Sequence, residues 1–433
     1  MFLIERNHMT QKTKLKRELG LLEVTLSGVG IILGAGIYAL IGKATLLAGN
    51  AVWLSFGFAA LVAVFTGLSY AELSSMFPMA SAEYEYTKSA FGRKLAFMIG
   101  WLIIFSGIIG ASTVALGFGG YFGALFKVPV LVSAFVLIVA LSLLLFYGIK
   151  ETVLFAIVST LIESAGLVLI FFIGLPYIGK VDYFEMPQGL TGVFQASALV
   201  FFAYTGFESI VKLSEETKDP EKTIPRGLML SVLISVILYI MVAISAVGIM
   251  GWETLGNSEA PFADLAFSVF GNNGFIILTM IALFATANTV LLMMLGSSRI
   301  IYGMADSSTL PNILAKVHPA RRTPWVAIFI TMLFSLAFIF AGDIAFVANV
   351  DNFTLFVTFF VINASMILLR LKEPDAPRPF RVPLSIGRLP VLPVLGLIFC
   401  IFMLFQLDAK VLLTGTMLVI LGMLLSLVSV KNP

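Results

Sequence analysis

Runs of unbroken apolar residues, many near twenty residues or longer, decide what this chain can fold into. They fall near positions 20–47, 51–77, 95–126, 129–149, 152–178 and 190–211, then near 226–250, 274–304, 324–342, 346–370, 389–407 and 410–430. About 20 apolar residues in a helix cross the roughly 30 Å hydrocarbon layer of a bilayer. A strand of a membrane barrel would alternate apolar and polar over about ten residues, and these runs do not alternate. Only 12% of the 433 residues are charged, against roughly a quarter in a soluble domain. The runs therefore predict an all-α integral membrane protein with twelve transmembrane helices.

Charge placement tests that count. An even number of spans puts both ends on one side, and short cytoplasmic loops carry the Lys/Arg excess. With a cytoplasmic N-terminus, all but four of the 27 basic residues fall inside, the exceptions being Lys43, Lys127, Lys180 and Lys410. Adding or removing a span in the middle would scramble this partition. Both termini are thus expected in the cytoplasm and the spans in the plasma membrane, since the loops are short and carry no sorting signal. The same bias removes any need for a nucleic-acid partner, because the charges are spread over every inner loop as insertion requires.

Other features exclude further classes. Cys400 stands alone in an apolar run, so no disulfide forms within the chain and the thiol reads as buried filler. His8 and His318 lie in polar segments and assemble no metal site, and no cofactor motif is present. Residues 1–19 read as a basic cytoplasmic tail, with no removable signal peptide ahead of the first span. The outer loop 251–273 has the apolar spacing of a short capping helix. The proline-rich stretch 371–388 is too polar to span and reads as an inner connection. Nothing in the sequence specifies an oligomeric state.

The residues that a simple span should not contain carry the functional information. Gly28, Gly30, Gly34, Gly36 and Gly42 crowd the first span, each weakening the helix by roughly 1 kcal/mol relative to alanine. By itself such crowding could serve only close helix packing. The sixth span, however, holds Tyr204, Thr205, Gly206 and Glu208 within its apolar run, and a carboxylate there costs roughly 2.5–3.5 kcal/mol on insertion scales. Interruptions in the first and sixth spans are what two five-helix repeats of inverted topology produce, and such repeats bring their broken helices together at the midplane. Unwound turns leave backbone groups unpaired. Half-helix N-termini then suit a carboxylate, and carbonyl ends suit an ammonium group. An α-amino acid satisfies both.

Four segments in order resemble the amino acid–polyamine–organocation superfamily of secondary transporters. They are GVGIILGAGIY in the first span, SYAELSSMFPMASAEYEYTKSAFG after the second, FFAYTGFESIVKLSEETKDPEKTIPRG through the sixth, and SSRIIYGMADSSTLPNILAKVHPARRTPW after the eighth. The resemblance covers nearly the whole chain. It implies a five-plus-five inverted repeat, positions 20–178 and 190–370, with discontinuous helices 1 and 6, followed by two further helices at 389–430. It also implies that the backbone around Gly34, Ala35 and Gly36 holds the substrate carboxylate, with Ile32 nearby. Carbonyls around Phe202, Ala203 and Thr205, next to Gly206, would hold the amino group, and Phe202 would close over the substrate.

Coupling is where the chain departs from relatives that carry a lysine in the fifth span. Here Glu163 takes that place, sharing a helix face with Ser159 and Gly166, while the eighth span supplies Thr286, Asn288 and Thr289. Glu163 could carry a proton, ligate sodium, or serve as a structural hydrogen-bonding group. Glu208 reads as a cap on the second half of the sixth helix, as a gate, or as a proton handler. Glu72 and Glu83 read as partners for inner basic residues. The leading expectation is an amino acid permease working by alternating access with proton symport. The alternatives are exchange of one amino acid for another, sodium coupling, or polyamine transport. A channel would need a selectivity loop, and an enzyme a nucleophile–base pair or metal cluster within reach. Ser106, Ala111 and Asn288 are candidates for lining the side-chain pocket.

Overall fold

A computed structural model of the protein describes residues 17–78, 82–307 and 309–429. Most of the basic tail and the last residue of the expected 389–430 segment lie outside the described residues. The architecture is helical. Helices α1 (Leu21–Ile32) and α2 (Gly36–Ala48) are followed by α3 (Val52–Met76), α4 (Ala82–Phe91), α5 (Arg93–Phe126), α6 (Val130–Tyr147) and α7 (Ile149–Gly174). Next come α8 (Gly189–Val200), the 3-10 segments Phe201–Tyr204 and Phe207–Glu216, α9 (Pro220–Met250), α10 (Trp252–Gly256) and α11 (Pro261–Asp306). Helices α12 (Trp325–Phe338), α13 (Ile344–Lys372), α14 (Val391–Leu404) and α15 (Ala409–Ser429) complete the chain.

Among the described residues, nine helical segments are long and apolar enough to cross a membrane, one being the run Gly36–Met76 that joins α2 to α3. Helices α1, α12 and α14 are apolar but shorter. The outer stretch 251–273 forms α10 and the start of α11, which bends at Gly271 where φ is 63°. The stretch 371–388 leaves α13 after Lys372 and runs through turns into a minimal hairpin. Ser385–Ile386 pairs antiparallel with Leu389–Pro390 around Gly387, whose φ is 61°, as a two-residue loop of this kind favours.

Local sequence explains the ends that position the site. Helix α1 begins where the Glu23 carboxylate accepts from the Gly20 N–H at 2.9 Å, the return half of a capping box. Helix α9 begins at Asp219–Pro220, with proline at a position that needs no N–H donor. Asp343 caps α13 by accepting from the Phe346 N–H at 2.8 Å. Helix α5 lies at the centre, packed against α6, α11 and α13, while α3 and α1 both pack on α9. Polar side chains join helices where lipid offers no partner. Ser69 donates to Asn363, and Asn363 donates to Thr66, at 2.6 and 3.0 Å. Glu72, fully buried, is paired with Arg370 and with Arg378 (3.1 Å), and it accepts from the Val382 N–H at 2.8 Å. Glu83 pairs with Lys212 at 3.8 Å. Both acids thus meet basic residues, as their positions in the sequence suggested. Cys400 is buried and free.

Candidate functional site

Two interruptions face each other in the core. The first separates α1 from α2 at Leu33–Ala35. The second begins where α8 tightens into the 3-10 turn Phe201–Tyr204, passes through extended Thr205 and turns at Gly206 with φ 108°. That angle lies in the region glycine tolerates best. A Cβ on Gly206 would stand 3.0 Å from the Ile31 carbonyl oxygen, and one on Gly36 would stand 2.6 Å from the Ala203 Cα. The two breaks therefore touch through backbone, and only residues without side chains permit the approach.

Hydrogen bonds hold the breaks in place. The Ala35 N–H donates to Thr289 Oγ1 at 2.9 Å, so the eighth-span helix α11 braces the first break. Thr205 Oγ1 donates to the Phe202 carbonyl at 2.8 Å. The Gly206 N–H donates to Glu208 Oε2 at 2.8 Å. Tyr239, fully buried on α9, directs its hydroxyl at the carbonyls of Ile32 (2.6 Å) and Ala203 (2.9 Å), one from each break. The sequence reading missed Tyr239. A lone tyrosine within the apolar run LISVILYIMVAIS was the signal available.

Around the breaks lies a cavity of about 170 Å³. Its walls include Ile32, Gly34 and Gly36 around the first break, and Phe202, Ala203, Thr205, Gly206 and Glu208 around the second. Glu163, Asn288 and Ser106 also line it. Ala35 is not on the wall, its N–H being held by Thr289. Thr286 is fully buried and donates to the Ala282 carbonyl of its own helix at 2.7 Å. Thr289, one turn nearer the break, takes the lining position instead. Ala111 is buried away from the cavity.

Glu163 is the unusual group. Its side chain is fully buried and neither carboxylate oxygen has a hydrogen-bond partner. Asn288 lies beside it but donates to Thr160 Oγ1 at 3.0 Å. The backbone carbonyl of Glu163 accepts from Tyr38 Oη at 2.8 Å. On the same helix face, Ser159 is buried without a partner, and a Cβ on Gly166 would press on the Tyr38 hydroxyl.

The cavity extends along the second half of the sixth span to Glu83 and Lys212. Tyr38, whose hydroxyl reaches the Glu163 carbonyl, belongs to an aromatic layer beside it. Tyr38 meets Phe262 edge to face at 5.1 Å, and Tyr121 donates to the Tyr38 carbonyl at 3.0 Å while accepting from the Phe262 N–H at 3.3 Å. Beyond that layer is a second cavity of about 280 Å³, lined in part by Tyr38, Tyr121, Lys43 and Glu259.

A helical membrane protein whose interrupted helices surround an interior cavity has the architecture of a transporter. The sequence comparisons narrow the class. The amino acid permease family model matches residues 19–428, and the chain belongs to that family. It is 33% identical over 404 residues to the branched-chain amino acid permease BcaP of Bacillus subtilis (strain 168), covering 88% of this chain and 85% of that one. It is 30% identical over 414 residues to the methylthioribose transporter of the same organism, covering 89% and 87%. It is also 29% identical over 402 residues to the vacuolar cationic amino acid transporter 4 of Arabidopsis thaliana, covering 86% of this chain and 65% of that protein.

Proposed function

We propose that this permease is a proton-coupled symporter that carries α-amino acids across the plasma membrane by alternating access. In this reading α1 and α2 form one divided span. The chain then has twelve spans, the first ten arranged as a five-plus-five inverted repeat (20–178 and 190–370) with two further helices at 389–430, and both termini are cytoplasmic. The observation that carries the coupling is Glu163, a buried carboxylate without a partner on the wall of the cavity. Buried charges otherwise find partners. A carboxylate left alone beside the substrate site is suited to gain a proton on one side of the membrane and lose it on the other.

Substrate recognition follows from the backbone. With the Ala35 N–H bound to Thr289, the N–H groups of Gly34 and Gly36, at the positive end of α2, remain to receive the substrate carboxylate. Ile32 flanks them. The carbonyls of Phe202 and Ala203, with Thr205 and Gly206 beside them, receive the ammonium group: the Ala203 oxygen has a second lone pair beyond its bond from Tyr239, and the Phe202 oxygen gives up one of its two bonds from Thr205. Phe202, only 2% exposed, covers the bound molecule. The aromatic layer at Tyr38 and Tyr121 bounds one end of the site and the Glu83–Lys212 ion pair the other, and transport opens one end at a time.

The deciding experiment is uptake of a panel of labelled amino acids into proteoliposomes under an imposed pH gradient, an imposed sodium gradient, or internal unlabelled amino acid alone. Accumulation driven by the pH gradient is expected. Uptake that needs internal amino acid would make the protein an exchanger, and a sodium requirement would reassign Glu163, Asn288 and Thr286 to a cation site.

A further inference from the structure

A second membrane carboxylate shares the unusual condition of Glu163. Asp351 lies on α13 within VANVDNFTLF, is 1% exposed, and neither of its side-chain oxygens has a hydrogen-bond partner. Its surroundings place it just behind the cavity wall. On α13, Leu355 and Thr358 line the cavity one and two turns further along the same face. On α5, Ser106 and Gly107 line the cavity, and Gly110, one turn further, faces Asp351: a Cβ there would stand 3.0 Å from Asp351 Oδ2 and 2.9 Å from the Met293 thioether. Asn352, the next residue, donates to the carbonyls of Ala198 and Leu199 at 2.7 and 3.1 Å, fixing this turn of α13 to the helix that leads into the second break.

The groups facing Asp351 are few. Ser106 comes from α5, Met293 from α11 and Thr354 from its own helix, the last donating to the Asp351 backbone carbonyl at 2.8 Å. Glu208 of the sixth span is the ionisable group that acts on it electrostatically. Among the described residues no lysine or arginine pairs with it. A substrate side chain does not meet it directly, because Asp351 is not on the wall whereas Ser106 and Met293 are. A proton needs less room than a cationic side chain, and the Ser106 hydroxyl offers a step between the cavity and the carboxylate.

The arrangement mirrors that of Glu163. In the five-plus-five reading the fifth span is the counterpart of the tenth, and the eighth of the third. Glu163 reaches from the fifth span beside Asn288 of the eighth, next to the first break. Asp351 reaches from the tenth span beside Ser106 of the third, next to the second. We propose that Asp351 is a second proton-binding carboxylate, so that two protons accompany each amino acid. Each carboxylate takes a proton as substrate enters and returns it on the other side, with no net change in the protein over a cycle.

This inference rests on the proton-coupled reading, and one experiment separates the two. Proteoliposomes with the membrane potential clamped at zero and a pH gradient of about one unit are allowed to accumulate labelled leucine and lysine to their limits. Each coupled proton multiplies the limit by about ten. Wild-type protein is expected to reach about 100-fold, D351N about 10-fold, and D351E about 100-fold again. A wild-type limit near 10-fold overturns the second proton while leaving symport in place, and it decides the matter even if D351N does not fold. An unchanged limit in D351N also overturns it. So does a D351N protein that loses lysine alone, which would make Asp351 a contact for cationic side chains. Absence of wild-type accumulation, with exchange intact, would overturn the coupled reading itself.

Discussion

The two breaks at the centre of this permease solve one problem in different ways. The first is a three-residue gap between regular α-helices, made of Leu33, Gly34 and Ala35, with no polar side chain of its own. Everything it needs comes from other helices: Thr289 for the Ala35 N–H, Tyr239 for the Ile32 carbonyl, and Glu163 on the cavity wall nearby. The second break carries its chemistry in its own sequence. Thr205 binds back to Phe202, Gly206 makes the turn, and Glu208 accepts the Gly206 N–H. An imported arrangement depends on how helices pack, whereas a local one depends on a few adjacent residues. Substitutions should separate the two.

The largest effect is expected at the contact between the breaks. Gly36→Val puts branched carbon where the Ala203 Cα already lies within 2.6 Å of a single Cβ. Overpacking of this kind costs about 1–3 kcal/mol, all of it within the substrate site. Amino acid binding, followed by scintillation proximity on purified protein, should weaken about 100-fold with the helical content unchanged. Normal binding would remove the backbone-recognition model. Next is Glu163→Gln, which keeps shape and removes the titrating group. The accumulation limit under a pH gradient of one unit should fall about tenfold, to what the remaining proton supports, while exchange against internal amino acid persists. Unchanged accumulation would leave Glu163 a structural residue.

Gly206→Ala tests the local break. The residue has φ 108°, and the added carbon meets the Ile31 carbonyl. Strain of about 1–2 kcal/mol should lower the uptake rate about tenfold, less than valine at Gly36 because the second break can shift along its own 3-10 segment.

This contrast also explains what the sequence made legible. The apolar runs, the basic-residue partition and the glycine-rich first span pointed to a membrane transporter with interrupted helices. The second break could be read outright, because its Thr, Gly and Glu stand side by side in YTGFES. The supports of the first break could not, since Thr289 and Tyr239 lie some 200 or more positions away in sequence, at separations of 254 and 207. Thr286 and Thr289 lie three apart on one helix, and only packing decides which one reaches Ala35. Asp351 could have been found by the rule that singled out Glu163, a carboxylate inside an apolar run. Helices α12 and α14 are shorter than their apolar runs suggested, stopping at 14 residues each.

Tyr239→Phe should fall next in size. Its hydroxyl touches a carbonyl from each break, so its loss leaves two buried oxygens less well satisfied and loosens the link between them. Such a loss costs about 1–2 kcal/mol, and KM for the preferred amino acid should rise about tenfold with a smaller change in the maximal rate. An unchanged KM would show that neither break depends on the Tyr239 hydroxyl.

The smallest effect is expected at Glu208. Glu208→Gln retains an oxygen able to accept the Gly206 N–H and loses only the charge assistance of that bond, a difference of about 0.5–1 kcal/mol. Uptake should fall no more than about threefold, and the accumulation limit under a fixed pH gradient should not move. The comparison with Glu163→Gln is the informative part. Two carboxylates line one cavity, one held by the backbone of its own break and one held by nothing, and only the second should set how far the substrate is concentrated. A Glu208→Gln protein with a tenfold lower limit would transfer the coupling role to the sixth span and make its local hydrogen bond the switch.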